Sequence, residues 1–539
     1  MRGRIAAAVA GVSITASSIV ISQDEGSRRA AAFWMHAAPV YVNYRFVQFL
    51  NRDIGLISDD VAWPWYEELH QSYAPKVEEL VWEMRGFYLK QAQLFSTQDD
   101  FIPKPYLKWM KKTQDNVPSE FKGDTARKIV AQKMKEEIGL DFDDVFSDWD
   151  DEPLGVASIG QGHKATLKNG KKVAVKFLCP GIEPRFRADI ATVKTFCAFA
   201  MPQHLPPLNE IEKQFMSEFD YRREAENNNL IRKNMLEKHS LGNLVDVPRA
   251  YPEFCSKHVL VMDFMEGQSL VQGIMRQFKA LAEANGVSFD ELIEEQRAKM
   301  EAGTFQFKSI AEEKRNAAIL NAQLWIRDAV VNVGKFCYNV SLLRLIHGPA
   351  QYSHSRAPLA LGHILEILSS VHATQIFDDG VFNGDCHPGN IMLLNNGKLG
   401  LIDFGQVKCL TEEDKKAFAQ LVLAHAAMDK DEVVRLHFDV LRNNTKHKKA
   451  DIAYLMSSFY VDRDTPDVLQ GRNIAEFVDW LEASDPLLHI NQEIVMACRV
   501  SLLLRGLGKA FGMQFRMSEL WQEEARKCLE RGTASSEKQ

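Results

Sequence analysis

Two acidic motifs eighteen positions apart constrain this chain more than any other feature. The first is Asp385-Cys386-His387-Pro388-Gly389-Asn390 and the second is Asp403-Phe404-Gly405. Between them run Ile391-Met392-Leu393-Leu394, the turn Asn395-Asn396-Gly397, and Lys398 to Ile402. That order predicts strand, tight turn, strand, because Asn-Gly supplies the positive φ of a two-stranded turn. A hairpin there would bring Asp385, Asn390 and Asp403 close together. Phosphoryl transfer on kinase-like folds needs such a set: one Asp to orient the nucleophile, and an Asn with a second Asp to hold magnesium. The tripeptide alone is a weak signal. The two motifs at hairpin distance are a specific one.

A phosphate-binding lysine is expected upstream. Lys171 to Leu178 follows the turn Lys168-Asn169-Gly170, and Val173, Val175 and Phe177 alternate with Ala174, Lys176 and Leu178. The alternation predicts a strand with Lys176 at its centre, in the form that binds nucleotide phosphates. The nucleotide would sit between this strand and the later hairpin. Val259 to Gly267 reads as a second strand and a hinge, whose backbone at Asp263, Phe264 and Met265 would meet the adenine edge. Before the lysine strand, Val156-Ala157-Ser158-Ile159-Gly160-Gln161 stands where a glycine-rich loop is expected. Small residues let backbone amides approach phosphate, and Ala157, Ser158, Ile159 and Gly160 are the candidates. Alanine narrows the backbone freedom, so this loop should be stiffer than a glycine-rich one.

These stretches together resemble the UbiB family of atypical kinases, the aarF-domain-containing kinase-like proteins. The resemblance runs from about Lys90 to Gly405. It includes the alanine-rich loop, Val173-Ala174-Val175-Lys176 with Pro180-Gly181-Ile182, the acidic stretch Glu218 to Asn227, and the loop from Asp385 to Asn390. It implies an α+β fold: a bilobal, protein-kinase-like molecule with an N-terminal helical extension and a mostly helical C-lobe. It also implies ATP and Mg2+ as cofactors, with Asp385, Lys176, Asn390 and Asp403 catalytic and Asn390 and Asp403 as metal ligands. In the family, a helix bearing Lys-x-Gly-Gln covers the nucleotide cleft and keeps protein substrates out. The matching stretch is Lys90-Gln91-Ala92-Gln93, with alanine in place of glycine. Alanine favours the helix by about 1 kcal/mol, so the helix should form, with Lys90 and Gln93 on one face. Cys386 likewise stands where the family commonly has proline.

In the acidic stretch, Asp220 and Glu224 are four apart and should share a helix face, with Glu218 elsewhere. One glutamate should pair with Lys176, and the remaining acids would meet Lys90 or magnesium. The sequence does not assign these pairs.

The rest of the chain fits around that core. Its 539 residues suffice for a large core and more than one domain. A net charge of −7 gives no sign of a nucleic-acid partner. Eight dispersed cysteines without a CxxC pair read as free thiols. Residues 1–50 read as a targeting or membrane-anchor segment. Arg2 and Arg4 precede an uncharged Ile5–Ser22 run rich in Ala, Ser and Thr, followed by an apolar Ala30–Leu50 patch that would lie on a membrane or pack on the core. The expected location is the mitochondrion, associated with the inner membrane, with a plastid as the alternative. Residues 51–144 read as the helical extension, 145–268 as the N-lobe and hinge, 269–530 as the C-lobe, and 531–539 as a disordered tail. About 115 residues separate the hinge from Asp385, and the excess near 275–355 reads as an insertion offering a docking surface for a protein partner. Charges at Arg327, Asp328 and Lys335 argue against a lipid-spanning helix there.

The expected function is a membrane-associated ATPase or a small-molecule or lipid kinase. The resemblance ties it to coenzyme Q or organelle lipid homeostasis, with a membrane surface and a quinone precursor or lipid as partners. Two other readings stand beside it. One is a non-catalytic nucleotide-binding regulator. The other is a kinase of the aminoglycoside or choline kinase type, suggested by Asn383-Gly384-Asp385-Cys386-His387.

Overall fold

The computed structural model describes residues 24–96, 102–115, 117–202, 205–301, 304–340, 349–354 and 359–536. The Ile5–Ser22 run, expected to be a targeting or anchor segment, lies outside them. The chain divides into two compact units, residues 1–226 with 249–264, and residues 227–248 with 265–539.

The first unit begins with helices α1 (Glu25–Gln48), α2 (Asp59–Met84), α3 (Gly86–Phe95) and α4 (Asp124–Ile138). Strands β1 (Phe146–Val156), β2 (Gly160–Leu167) and β3 (Lys172–Leu178) follow, then helices α5 (Ile182–Ala200), α6 (Leu205–Met216) and α7 (Tyr221–Arg232), and strand β4 (Val259–Asp263). The four strands form one antiparallel sheet in the order β1-β2-β3-β4. Val173, Val175 and Phe177 are fully buried, as the period-two pattern requires. Pro206 and Pro207 fall in the first turn of α6, where a missing N–H costs nothing. Residues 25–48 form α1, which packs on this unit as one of the two expectations for the Ala30–Leu50 patch had it, with Phe33 and Val47 buried. Arg29 donates to both carboxylate oxygens of Asp189, at 2.8 and 2.5 Å, and Phe33 packs edge-on against Phe196, both partners lying on α5. The extension and the sheet therefore share one hydrophobic cluster.

The second unit contains β5 (Gly267–Ser269), α8 (Leu270–Asn285), α9 (Phe289–Glu301), α10 (Ile310–Val340), α11 (Leu361–Ala373) and β6 (Val381–Asn383). Beyond these come β7 (Ile391–Leu394), β8 (Leu399–Leu401), β9 (Val407–Cys409), α12 (Glu412–Ala426), α13 (Gln492–Ala510) and α14 (Met517–Ser536). A four-stranded sheet runs from the short Val245–Asp246 strand through β8 and β7 to β5, and β6 pairs with β9. The helical core closes on Phe377, Phe418 and Trp521, whose indole donates to the Ser369 carbonyl at 3.2 Å. Helix α14 continues to Ser536, so residues 531–536 are helical where a disordered tail was expected. The cause is the apolar face behind them: Trp521, Ala525 and Cys528 are buried and anchor the helix. No described helix is long and apolar enough to cross a membrane.

Three histidines of this unit, His372, His425 and His437, are buried. Burial holds the imidazolium of each down to about 4, from an ordinary 6.5. Below pH 6.5 the unfolded chain takes up protons that the folded chain refuses, so stability is complete above that pH and falls on the way to pH 4. With three such groups the slope approaches about 4 kcal/mol per pH unit. Denaturant midpoints measured from pH 7 to 4.5 are expected to drop accordingly, and His425→Gln should flatten the dependence by about a third. A midpoint independent of pH would contradict the buried, neutral state.

Candidate functional site

In the second unit, the Asn-Asn-Gly turn forms as its sequence dictates. Gly397 has φ 83°, and β7 and β8 pair Ile391 with Leu401, Met392 with Gly400 and Leu393 with Leu399. The hairpin sets the two acidic motifs side by side, and backbone bonds lock them. The Ile402 N–H donates to the Asn390 carbonyl at 3.1 Å. Asn383 then clasps both aspartates: its amide donates to the Asp403 carbonyl at 2.8 Å, and its side-chain oxygen accepts the Asp385 N–H at 3.0 Å. Asp403 also accepts from the Gly405 N–H, and Asn227 donates to the carbonyl of the buried Phe404.

Asp385 is itself held by Arg499 on α13, whose guanidinium lies 3.1 Å from the carboxylate and donates to Gln406 at 2.9 Å. Sequence reasoning missed Arg499 and passed over Asn383 as a site residue. Arg499 is 114 positions away and sits in an ordinary helical pattern, so only the fold identifies it. Cys386 points into the core beside the Val500 carbonyl, and burial pushes its thiol up to about 12. It is a packing residue, inert as a nucleophile at neutral pH. His387 accepts the Gly389 N–H and shapes the turn.

In the first unit, Lys176 projects from β3 and forms an ion pair with Glu224 of α7 at 2.8 Å, the carboxylate being buried. Lys90 on α3 pairs with Glu218 at 3.0 Å and lies over the Phe215 ring. The structure thus assigns one glutamate to each lysine. Asp220 joins neither. Residues 217–219 form a 3-10 turn and α7 starts only at Tyr221, so Asp220 precedes the helix and does not share a face with Glu224. Its carboxylate takes both Arg222 guanidinium nitrogens, at 2.9 and 2.7 Å, and that pairing holds it below the usual carboxylate range. Gln93 donates to the Thr113 carbonyl at 2.8 Å, tying α3 to the segment behind it. Ala92 is buried within the intact helix.

The alanine-rich loop is a tight connection between β1 and β2. The Ala157 N–H donates to the Gly160 carbonyl at 2.8 Å, and the Cys179 N–H to the Ile159 carbonyl at 2.9 Å. Ser158 and Ile159 are buried. Gly160 is required by the protein's own packing: a Cβ there would stand 2.7 Å from both the Phe177 carbonyl and the Tyr221 hydroxyl.

The hinge expectation narrows. The Asp263 N–H donates to Arg249 and the Phe264 N–H to Lys172, at 2.9 and 3.2 Å, so neither is open to an adenine. The Asp263 carboxylate accepts from Tyr251 at 2.6 Å and pairs with Lys171 at 2.8 Å. Burial raises that carboxyl, but these partners outweigh it and hold it low.

Asn390 and Asp403 offer an amide and a carboxylate oxygen. That is the hard donor set magnesium uses when phosphates and water complete its shell. No cluster of three or more His, Cys, Asp or Glu suited to a metal occurs among the described residues.

Residues 112–295 and 346–437 match the ABC1 atypical kinase-like domain. Among curated proteins, the chain is 25% identical over 400 residues to the probable protein kinase UbiB of Pseudomonas aeruginosa, covering 72% of this chain and 59% of that protein. It is 28% identical over 231 residues to the AarF domain-containing protein kinase 1 of Gallus gallus, covering 42% and 41%. The chain thus spans less than two thirds of the length of these relatives. A solved Mycobacterium tuberculosis protein in complex with erythromycin is 19% identical, with a TM-score of 0.42, covering 86% of this chain and 98% of that one. Helix α3 and residues 296–345, which include α10, fall outside the matched domain. With half the chain matched, the protein belongs to the ABC1 atypical kinase-like family, the UbiB and AarF-domain group.

Proposed function

We propose that the protein binds ATP with magnesium and transfers the γ-phosphoryl group to a small molecule, a lipid or water, in a membrane-associated role in quinone or lipid homeostasis. The observation that carries the chemistry is the Asn383 clasp, which fixes Asp385 and Asp403 in one hydrogen-bonded frame with Asn390. Asp385 would orient the acceptor hydroxyl and take its proton as the new O–P bond forms, the β–γ bridge breaks and ADP leaves. Lys176 would hold the phosphates, its ammonium steadied by Glu224. Asp403 and Asn390 would hold magnesium, which neutralises phosphate charge. The Lys90–Glu218 pair fixes α3 against the turn before α7, which supports a helix with a regulatory position rather than a solvated one. The quinone setting rests on the family resemblance alone.

Calorimetry of ATP binding, with and without magnesium, tests the metal site. Wild type should bind more tightly with the metal, and Asp403→Asn should lose at least about tenfold of that increment. Equal binding in both conditions in wild type would remove the site. ATP turnover with and without a phenolic quinone precursor tests the acceptor. Binding without turnover would leave the regulator reading.

A further inference from the structure

Helix α10 is 31 residues long and lies outside the matched domain. Its inner side is occupied. Ala317 is buried, Lys314 pairs with Glu366 of α11, and Glu313 accepts the Gly362 N–H, both contacts at 2.6 Å. Farther along, Asn332 exchanges two hydrogen bonds with Ser353, and Asn339 exchanges two with Ala350. The outer side carries a repeat of seven. Ile319, Ile326, Val333 and Val340 recur at every seventh position, and Ala322, Ala329 and Phe336 each follow three residues later. These residues form one apolar stripe about 32 Å long, with the 3.5-residue period of a coiled-coil seam. The first position of every repeat is β-branched and exposed, Val340 by 69%. Ala322 and Phe336 are exposed as well, and Ala329 is half-buried. Val330 and Trp325, exposed by 68% and 72%, flank the stripe on its two sides.

Charge and area select the occupant. From residue 318 to residue 340, every position on the stripe and on its two flanks is uncharged. The charges within that span, Arg327, Asp328 and Lys335, lie elsewhere on the helix and are engaged. The first two pair at 3.5 Å, and Lys335 donates to the Ser353 hydroxyl at 2.6 Å. A helix lying on lipid needs cations turned to the headgroups, and here the protein itself holds them. A second copy of the helix meets no like charge across the seam. The four β-branched side chains, Phe336, Val330 and Trp325 together expose on the order of 800 Å², about what each partner of a standard-size interface buries. Side-chain size sets the orientation. In an antiparallel pair, Ala329 faces Ile326 of the second copy and Ala322 faces its Val333, so small residues meet large ones. A parallel pair would stack alanine on alanine and Phe336 on itself, leaving voids beside a bulge.

We propose that the exposed stripe of α10 joins two copies of this chain as an antiparallel, two-fold symmetric helix pair. The axis passes between Ile326 and Ala329, so each contact recurs on its other side, as an isologous interface requires. The pairing depends neither on phosphoryl transfer nor on a membrane.

The test is sedimentation velocity of the full chain over a series of micromolar concentrations. Wild type should pass from monomer to dimer as concentration rises. The double variant Ile326→Asp, Val333→Asp places carboxylates of both copies in the seam. Its dimer dissociation constant should rise at least about a hundredfold. Its melting temperature should match that of monomeric wild type, because both positions are exposed in the single chain. The double variant Ala322→Lys, Ala329→Lys should be monomeric as well. Mixed together, the two variants should dimerise, since the antiparallel register sets each aspartate against a lysine of the other chain. A misfolded variant would not give that rescue. A wild type that stays monomeric overturns the proposal, and so does a dimer that survives the two aspartates. A mixture that stays monomeric overturns the antiparallel register. A monomeric wild type that binds phosphatidylcholine vesicles, with binding lost in the aspartate variant, would assign the stripe to lipid instead.

Discussion

Asp385→Asn is expected to reduce ATP turnover by a factor of about 10²–10⁴ while leaving nucleotide affinity near wild type. The substitution preserves shape and the backbone bond to Asn383, because that bond uses the Asp385 N–H and not its carboxylate. The loss falls on the carboxylate proposed to take the acceptor's proton. The Arg499 pair supplies an internal control. Both side chains are about a quarter exposed, so losing the charge contact should cost stability only about 1 kcal/mol or less. Arg499→Gln should therefore disturb the orientation of Asp385 without removing the base. Its turnover should fall less than that of Asp385→Asn, at similar thermal stability. Single-turnover assays on preparations free of contaminating ATPase decide the matter. Wild-type hydrolysis in Asp385→Asn would end the assignment.

The parts of the site legible in the sequence were those encoded locally. Asn395-Asn396-Gly397 fixes a turn, the turn fixes the register of β7 and β8, and the register fixes Asn390 beside Ile402, next to Asp403. Val173, Val175 and Phe177 fix which way Lys176 points by alternation alone. What failed was decided by tertiary contacts or by a boundary a residue or two away. Asp220 was placed on the helix with Glu224, but the helix begins one residue later and Arg222 captures the carboxylate. The assignment of the Asp263, Phe264 and Met265 backbone to the adenine edge is narrowed rather than lost, since Arg249 and Lys172 use the N–H groups of the first two only. Arg29 reaches Asp189 across 160 positions, a contact that favours packing of this helix on the core, which the sequence left open beside a membrane surface. No local periodicity carries such information. The alanine-rich loop shows a subtler limit. Gly160 was explained by phosphate approach, whereas the Phe177 carbonyl and the Tyr221 hydroxyl already exclude a side chain there.

Lys176→Ala should weaken ATP binding by about ten- to a hundredfold, the worth of one charge-assisted contact to phosphate. The same change removes the ammonium from a buried carboxylate, since Glu224 is only 7% exposed. Breaking one side of a buried pair costs about 3–5 kcal/mol, so a fall in apparent affinity would mix lost contact with lost folding. The double variant Lys176→Ala, Glu224→Gln separates the two. It removes the charge together with its partner, and the amide retains much of the shape, so stability should recover most of the loss. If Lys176 contacts phosphate, affinity stays low in the double variant even as its melting temperature returns. Glu224→Gln alone should bind ATP with an intermediate affinity, because the lysine keeps its charge but loses the contact that positions it on β3. Recovery of full affinity in the double variant would show that Lys176 serves folding only, and the phosphate role would pass to another cation.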